Sequence, residues 1–337
     1  MENKKIIKIL SKRKYHWFLT GVAGFIGSNL LEELLLQNQK VTGIDNLSNG
    51  FLENLNDVKK KVSINQWKNF KFIEADICEV NTYRKFIKNV DFTLHQAARG
   101  SVIKSIKNPL KTNNSNVSGF LSILNFSKNM GVKSFVYASS SSVYGDSKKL
   151  PKKEKKIGNL LSNYALTKKI NEDYSELFFK QYNFKTIGLR YFNVFGKRQN
   201  PNGDYAAVIP RWIKKVINNR SIEIYGDGKT SRDFTPVSYA VQANILAAIN
   251  NLPKKNYIFN VGNGSRTSLN QLIYKIYKIL KIPKSRYKLT FKSFRKGDIR
   301  HSLASISEIK NKLNFKKTSS FDKSLKLTIE WFKYKNV

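Results

Sequence analysis

Thr20-Gly21-Val22-Ala23-Gly24-Phe25-Ile26-Gly27 is the stretch that decides the fold. It follows a short apolar run, Trp17–Thr20, and opens a segment, Phe25–Gln37, with apolar residues at helical spacing. Three glycines between a strand and a helix let the chain turn tightly and bring backbone N–H groups close to a phosphate. The helix N-terminus adds positive potential at the same place. Phe25 and Ile26 fall inside this loop and are expected to border whatever it holds.

Working outward, Lys40–Ile44, Phe70–Ala75, Phe92–His95, Ser134–Ala138 and Thr186–Leu189 read as further buried strands. Asn116–Met130 and Ser162–Tyr182 read as helices between them. This alternation predicts an α/β protein with a Rossmann-type, doubly wound parallel sheet. Past Arg190 the pattern loosens into Gly-, Asn- and Asp-bearing loops, with helices expected at Ser268–Leu280 and Asp322–Tyr334. The expected organisation is a basic arm or short helix over residues 1–16, a dinucleotide-binding domain over 17–190, and a smaller α/β substrate domain over 191–337, partly interleaved with the first. Ligands are expected in the cleft between them.

The second strand ends at Asp45, 24 residues after Gly21, where a carboxylate suits the ribose diol of an adenosine. A carboxylate there disfavours a 2′-phosphate, so NAD rather than NADP is the expected cofactor. Asp76, at the end of the third strand, is a candidate partner for the adenine amino group.

Tyr164 and Lys168 stand four apart, on one face of the predicted helix. A tyrosine titrates near pH ~10 and is a poor base at neutral pH. A unit charge ~4 Å away is worth ~4 kcal/mol at an effective dielectric of ~20. Lys168 is therefore expected to lower the phenol and help Tyr164 take a proton from an alcohol. Ser139–Ser142 lie at the C-terminal end of their strand, where open α/β sheets place ligands. Ser140 can hydrogen-bond the reacting oxygen, and Ser141 and Ser142 its neighbours. His95 is expected to cap its strand, leaving Ala97 and Ala98 to pass under the cofactor.

Composition narrows the setting. The net charge of +38, from 61 Lys+Arg against 23 Asp+Glu, is spread along the chain and forms no compact basic block. It reads as compositional drift toward Lys and Asn, helpful in attracting an anionic nucleotide, with no nucleic-acid partner expected. Cys78 is the sole cysteine, so no internal disulfide can form and a reducing, cytoplasmic setting is expected. The apolar runs are too short to insert in a membrane, and that near the start is too broken for a signal-peptide core. No metal is expected.

At these motifs the chain resembles the extended short-chain dehydrogenase/reductase family, from about Trp17 to about Trp331. Within it the chain is most similar to nucleotide-sugar 4-epimerases, notably bacterial UDP-N-acetylglucosamine 4-epimerases of polysaccharide synthesis. The likeness is carried by Thr20–Asn29, Gly43–Leu47, His95–Ser101, Ser139–Asp146, Leu189–Gly196, Pro201–Pro210 and Gly226–Phe234. It implies that bound NAD takes the C4 hydride of a UDP-sugar, that the 4-keto sugar turns over in the site, and that the hydride returns to the other face. It implies Ser140, Tyr164 and Lys168 as the catalytic set. It adds Asn46, Asn49, Ile77, Gln96 and Asn116 as cofactor contacts. Asn193, Arg232 and Arg295 become pyrophosphate ligands, Tyr225 a stacking partner for uracil, and Asp298 a ribose contact. Ser101, Ala207 and Val208 fall at substrate-facing positions.

Ser302 stands where a bulky residue guards the C2 substituent in galactose-type relatives, and Gly100 replaces a lysine seen near the nicotinamide there; both changes suit a 2-acetamido sugar without excluding plain glucose. Asn163 replaces a frequent proline, and Thr235–Tyr239 lacks a customary acidic residue. The alternative substrate is UDP-N-acetylglucosaminuronic acid. Dehydration is disfavoured because Ser141 and Ser142 supply no carboxylate pair. A non-catalytic nucleotide-binding protein or an RNA binder is a distant alternative. The family also implies a homodimer built on the helices near 116–130 and 162–182.

Overall fold

A computed structural model describes residues 4–202, 206–294 and 299–335. Its centre is a seven-stranded parallel sheet. Strands β1 (His16–Thr20), β2 (Lys40–Asp45), β3 (Phe70–Glu74), β4 (Phe92–His95), β5 (Ser134–Ser140) and β6 (Thr186–Tyr191) supply six of the seven. The last is Asn256–Val261, beside β6. Across the sheet the order is Asn256–Val261, β6, β5, β4, β1, β2, β3. The winding reverses between β1 and β4, which opens a crevice beyond their carboxyl ends.

The inner strands are buried because helices cover both faces, while the edge strand β3 stays partly exposed. On one face α2 (Phe25–Leu36), after the glycine loop, and Val237–Ile249 join a core with Trp17, Leu19, Leu94 and Val136. On the other, Gly119–Asn129 and Asn163–Tyr182 pack Phe120, Leu124 and Phe178 on Phe18, Phe135 and Tyr137. A separate core in the C-terminal half gathers Trp212, Ile224, Ile273, Leu325 and Phe332.

The N-terminal arm is a helix, α1 (Lys4–Lys12). It sinks Ile6 and Leu10 into the main core and is held by the Gln39 amide, which donates to the Leu10 carbonyl at 3.0 Å. The expected helix at Asn116–Met130 instead begins with a π-turn, Asn114–Ser118, and then runs regularly from Gly119 to Asn129. Two elements past Arg190, Val237–Ile249 and Asn256–Val261, belong to the main sheet layers and not to a separate substrate body.

The two halves are joined by a buried ion cluster. The Arg198 guanidinium lies 2.7 Å from Glu32 on α2 and 3.0 Å from Asp57, and Lys335 reaches Asp57 at 2.7 Å. The Arg198 side chain is fully shielded from solvent; against the opposing effect of burial, Arg198 with Lys197 holds the Glu32 carboxyl below its usual range, and Lys335 with Arg198 does so for Asp57.

Candidate active site

A cleft of about 850 Å³ opens over the switch point. At one end lies the glycine loop. Gly21 adopts φ +68°, and a Cβ there would stand 2.7 Å from the Ala97 backbone nitrogen. A Cβ on Gly27 would come within 2.0 Å of the Gly21 carbonyl oxygen. This cradle admits backbone only, the arrangement a pyrophosphate needs. Phe25 and Ile26 line the same end.

Asp45 closes β2 beside it. Its carboxylate accepts the Ala23 amide at 3.0 Å and the Leu47 amide at 2.9 Å. Burial pushes its pKa up, and these amides oppose that. Asn46, Asn49, Ile77, Gln96, Ala97 and Ala98 line the wall, as expected of cofactor contacts. Asp76 stands between Ala75 and Ile77, which both line that wall, and its carboxylate takes the Asn46 amide at 2.7 Å and the Cys78 N–H at 2.8 Å. Asn116 is buried and bonded within the protein. Its amide accepts the Arg99 N–H at 2.7 Å and donates to Thr167 at 3.2 Å, so it clamps the segment before Gly100 to the long helix. The residues present fit NAD: a phosphate cradle, a diol-facing carboxylate and an apolar slot follow one another along the wall.

At the other end Ser140, Ser141, Ser142, Tyr164 and Lys168 converge. Helix Asn163–Tyr182 starts under a side-chain cap from Ser162 to the Ala165 amide, which sets Tyr164 in its first turn. Burial raises the Tyr164 phenol, and a hydrogen bond with Ser140 pulls against that. The expected lowering by Lys168 is not produced by the protein's own groups. The Lys168 ammonium donates to the Ala138 carbonyl at 2.8 Å and lies 5.9 Å from the Tyr164 ring centre. Burial dominates because both groups are enclosed. It also brings the Lys168 pKa down to about 8.

His95 is not a base in this site. It is buried, bonds Thr20 at 2.8 Å through Nδ1, and burial lowers its pKa to about 3. Ser101 is equally structural, capping the helix Val102–Lys107 through the Lys104 amide at 3.2 Å. Gly100 lines the cleft, and nothing lies within 4 Å of the place its Cβ would take.

Asn193, Arg232 and Ser302 complete the cleft from the C-terminal half. Asn193 and Arg232 also border a second cavity of about 210 Å³, walled by Ala207, Val208 and Tyr225. The two cavities therefore adjoin at the expected pyrophosphate ligands. Arg295 and Asp298 lie outside the described residues.

Sequence reading missed several groups here. Tyr191 lines the cleft and donates to the Gln96 side-chain carbonyl at 3.0 Å, and Asn244 holds both residues. Lys152 lines it too, though it is only 4% exposed. Glu172 lies behind Lys168, bound at 2.6 Å by the Ser139 hydroxyl and by both arms of Arg190. Its position one turn beyond Lys168 was the available signal.

A glycine cradle, a carboxylate at the end of β2 and a Ser–Tyr–Lys set share one cleft of a Rossmann-type fold. Residues 17–262 match the NAD dependent epimerase/dehydratase family. The chain belongs to that family, and it uses NAD. It is 36% identical to a UDP-N-acetylglucosamine 4-epimerase from Methanobrevibacter ruminantium M1, solved with UDP-N-acetylmuramic acid, with a TM-score of 0.88 over 96% of this chain and 99% of that one. A UDP-glucose 4-epimerase from Thermotoga maritima, solved with UDP-glucose, is 33% identical, with a TM-score of 0.86 over 96% of this chain and 100% of that one. A UDP-glucuronate 4-epimerase from Thermodesulfobacterium geofontis is 32% identical over 326 residues, covering 94% of this chain and 96% of the relative.

Proposed function

We propose that this enzyme inverts C4 of a UDP-sugar, converting UDP-N-acetylglucosamine to UDP-N-acetylgalactosamine through a 4-keto sugar. The observation that carries the choice of sugar is the small pair Gly100 and Ser302 at the sugar end of the cleft, with open space beside Gly100. A glucose-sized wall is absent there among the described residues, so an N-acetyl group has room.

NAD, when bound, supplies the hydride acceptor and returns the hydride. The chain's residues do the rest. Tyr164 takes the C4 hydroxyl proton and gives it back, with Ser140 bridging the oxygen. Lys168 supplies positive charge that favours the phenolate and holds the nicotinamide ribose. Asn193 and Arg232 grip the pyrophosphate at the junction of the two cavities, and Tyr225 faces the uracil. A guanidinium pairs well with a phosphate.

One observation favours the uronic acid as a second substrate. Lys152 lines the cleft, donates to the Ser147 carbonyl, and has no carboxylate ion partner among the described residues. Burial lowers its pKa. A buried cation with no direct ion pair, eased only through space by Asp146, suits a carboxylate on the sugar.

We also infer a cytoplasmic homodimer serving surface polysaccharide synthesis. No helix among the described residues is long and apolar enough to cross a membrane. Leu166 and Leu177 are exposed on one of the helices the family would pair.

The test is to incubate the purified protein separately with UDP-GlcNAc, UDP-Glc and UDP-GlcNAcA, adding no NAD, and to follow products by NMR. UDP-GalNAc from UDP-GlcNAc is the expected result. Preference for the uronic acid would promote the second reading, and no conversion of any sugar after NAD is added would overturn the function.

A further inference from the structure

Lys168 and Glu172 stitch the long helix to the end of β5 at two successive residues. The Lys168 ammonium binds the Ala138 carbonyl at 2.8 Å, and the Glu172 carboxylate accepts the Ser139 hydroxyl at 2.6 Å. Ser140 is the next residue. Tyr164, Lys168 and Glu172 stand one turn apart along the helix. Arg190 of β6 is registered opposite Ser139 and clasps the same carboxylate, Nε to Oε1 at 2.8 Å and Nη2 to Oε2 at 2.7 Å. Its third arm holds the Glu154 carbonyl at 2.8 Å. Both side chains of the pair are almost wholly buried. Such a bidentate pair is rigid, and one carboxylate thereby fixes a helix to two strands.

We propose that Glu172 is a positioning residue, which holds the end of β5 and the helix in the one register that brings Ser140, Tyr164 and Lys168 together and sets the charge Lys168 meets from behind. The inference rests on the assignment of that trio as the reacting set. The electrostatic half follows from what else faces Lys168 and Glu172. Burial keeps His95 of β4, Tyr137 of β5 and Tyr144 uncharged at neutral pH. Tyr164, on the same helix, is also held protonated. Asp173 is exposed and bound to Lys169, and Glu154 faces Arg190 from the far side. Glu172 is the negative charge that opposes the effect of burial on Lys168. Without it Lys168 loses its proton at lower pH and no longer favours a phenolate.

The test compares Glu172→Gln and Ser139→Ala with the wild type. Lysine ε-carbons are labelled with ¹³C, Lys168 is assigned through Lys168→Met, and its titration is followed by NMR beside the pH profile of kcat. Glu172→Gln is expected to move the Lys168 titration and the alkaline limb of kcat to lower pH. It should also lower kcat about tenfold or more, with KM changed less. Ser139→Ala removes one stitch and no charge, so it is expected to lower kcat and leave the Lys168 titration in place. An unmoved Lys168 titration in Glu172→Gln overturns the inference, as does wild-type kcat in Ser139→Ala. Should Glu172→Gln fail to fold, Ser139→Ala decides. If the wild type converts no UDP-sugar, the functional reading fails, while the Lys168 titration still reports on Glu172.

Discussion

The two halves of the cleft are built from different materials. The nucleotide end rests chiefly on backbone, with the Asp45 carboxylate beside it: strand ends, a glycine turn and a helix N-terminus, all at one continuous sheet. The sugar and uridine end draws Asn193, Tyr225, Arg232 and Ser302 from separate segments around small two-stranded pairings. Backbone recognition leaves little room for variation, because no side chain can be traded for another. Side chains on loops can be exchanged singly. On the proposed assignment, the hold on the cofactor belongs to the first half and the choice of sugar to the second.

The comparison is broken most severely by Gly27→Ala. The added Cβ would meet the Gly21 carbonyl oxygen at 2.0 Å, and neither backbone segment can move aside. Complete loss of bound NAD is expected, read by the cofactor recovered from denatured protein. NAD retained at wild-type stoichiometry would show that the loop yields. Next is Tyr164→Phe, expected to keep NAD and to lower kcat by about 10²–10⁴-fold, as for loss of a general base. Unchanged turnover would remove Tyr164 from the mechanism.

Arg198→Met tests the seam between the halves. It leaves Glu32 and Asp57 without their shared buried partner, and a broken buried pair costs about 3–5 kcal/mol. Urea unfolding should register the loss, and a change near zero would mean the halves are held by packing alone. Ser302→Tyr sharpens the other side of the contrast. It is expected to lower kcat/KM for UDP-GlcNAc against UDP-Glc by about 10–200-fold, with NAD binding unaltered. An equal effect on both sugars would place Ser302 away from C2.

The smallest effect is on pH. Lys168 must be protonated to favour a phenolate, and its pKa is about 8. Activity should therefore fall as pH rises through about 8. Because burial lowers the folded value from 10.5, the unfolded chain binds more protons between about 8 and 10.5, so this residue's contribution to stability grows with pH there. A profile flat to pH 10 would contradict the first of these statements.

Much of this was legible because its signals are local. Gly21, Gly24 and Gly27, Asp45 at a strand end, and Tyr164 with Lys168 each stand in their own element. The seventh strand, Asn256–Val261, was not read, since its place beside β6 is set by a pairing across some 70 residues. Asp76 and Asn116 were read by position alone; the bonds that tie Asp76 to Asn46 and Cys78, and Asn116 to Arg99 and Thr167, form only in the folded chain. The phenol of Tyr164 was expected to fall because charge was weighed and burial was not. Lys152 depends on contacts that only the folded chain makes, and Glu172 was signalled only by its place one turn beyond Lys168.

That late strand has a consequence for how the protein is made. A ribosome delivers the chain from the N-terminus, and β6 is complete at Tyr191 while its outer neighbour ends at Val261. Through that interval β6 is an open edge, with bare amides and carbonyls in a chain still being extended. Translation speed across residues 192–261 thus bears directly on whether nascent chains pair with themselves or with one another.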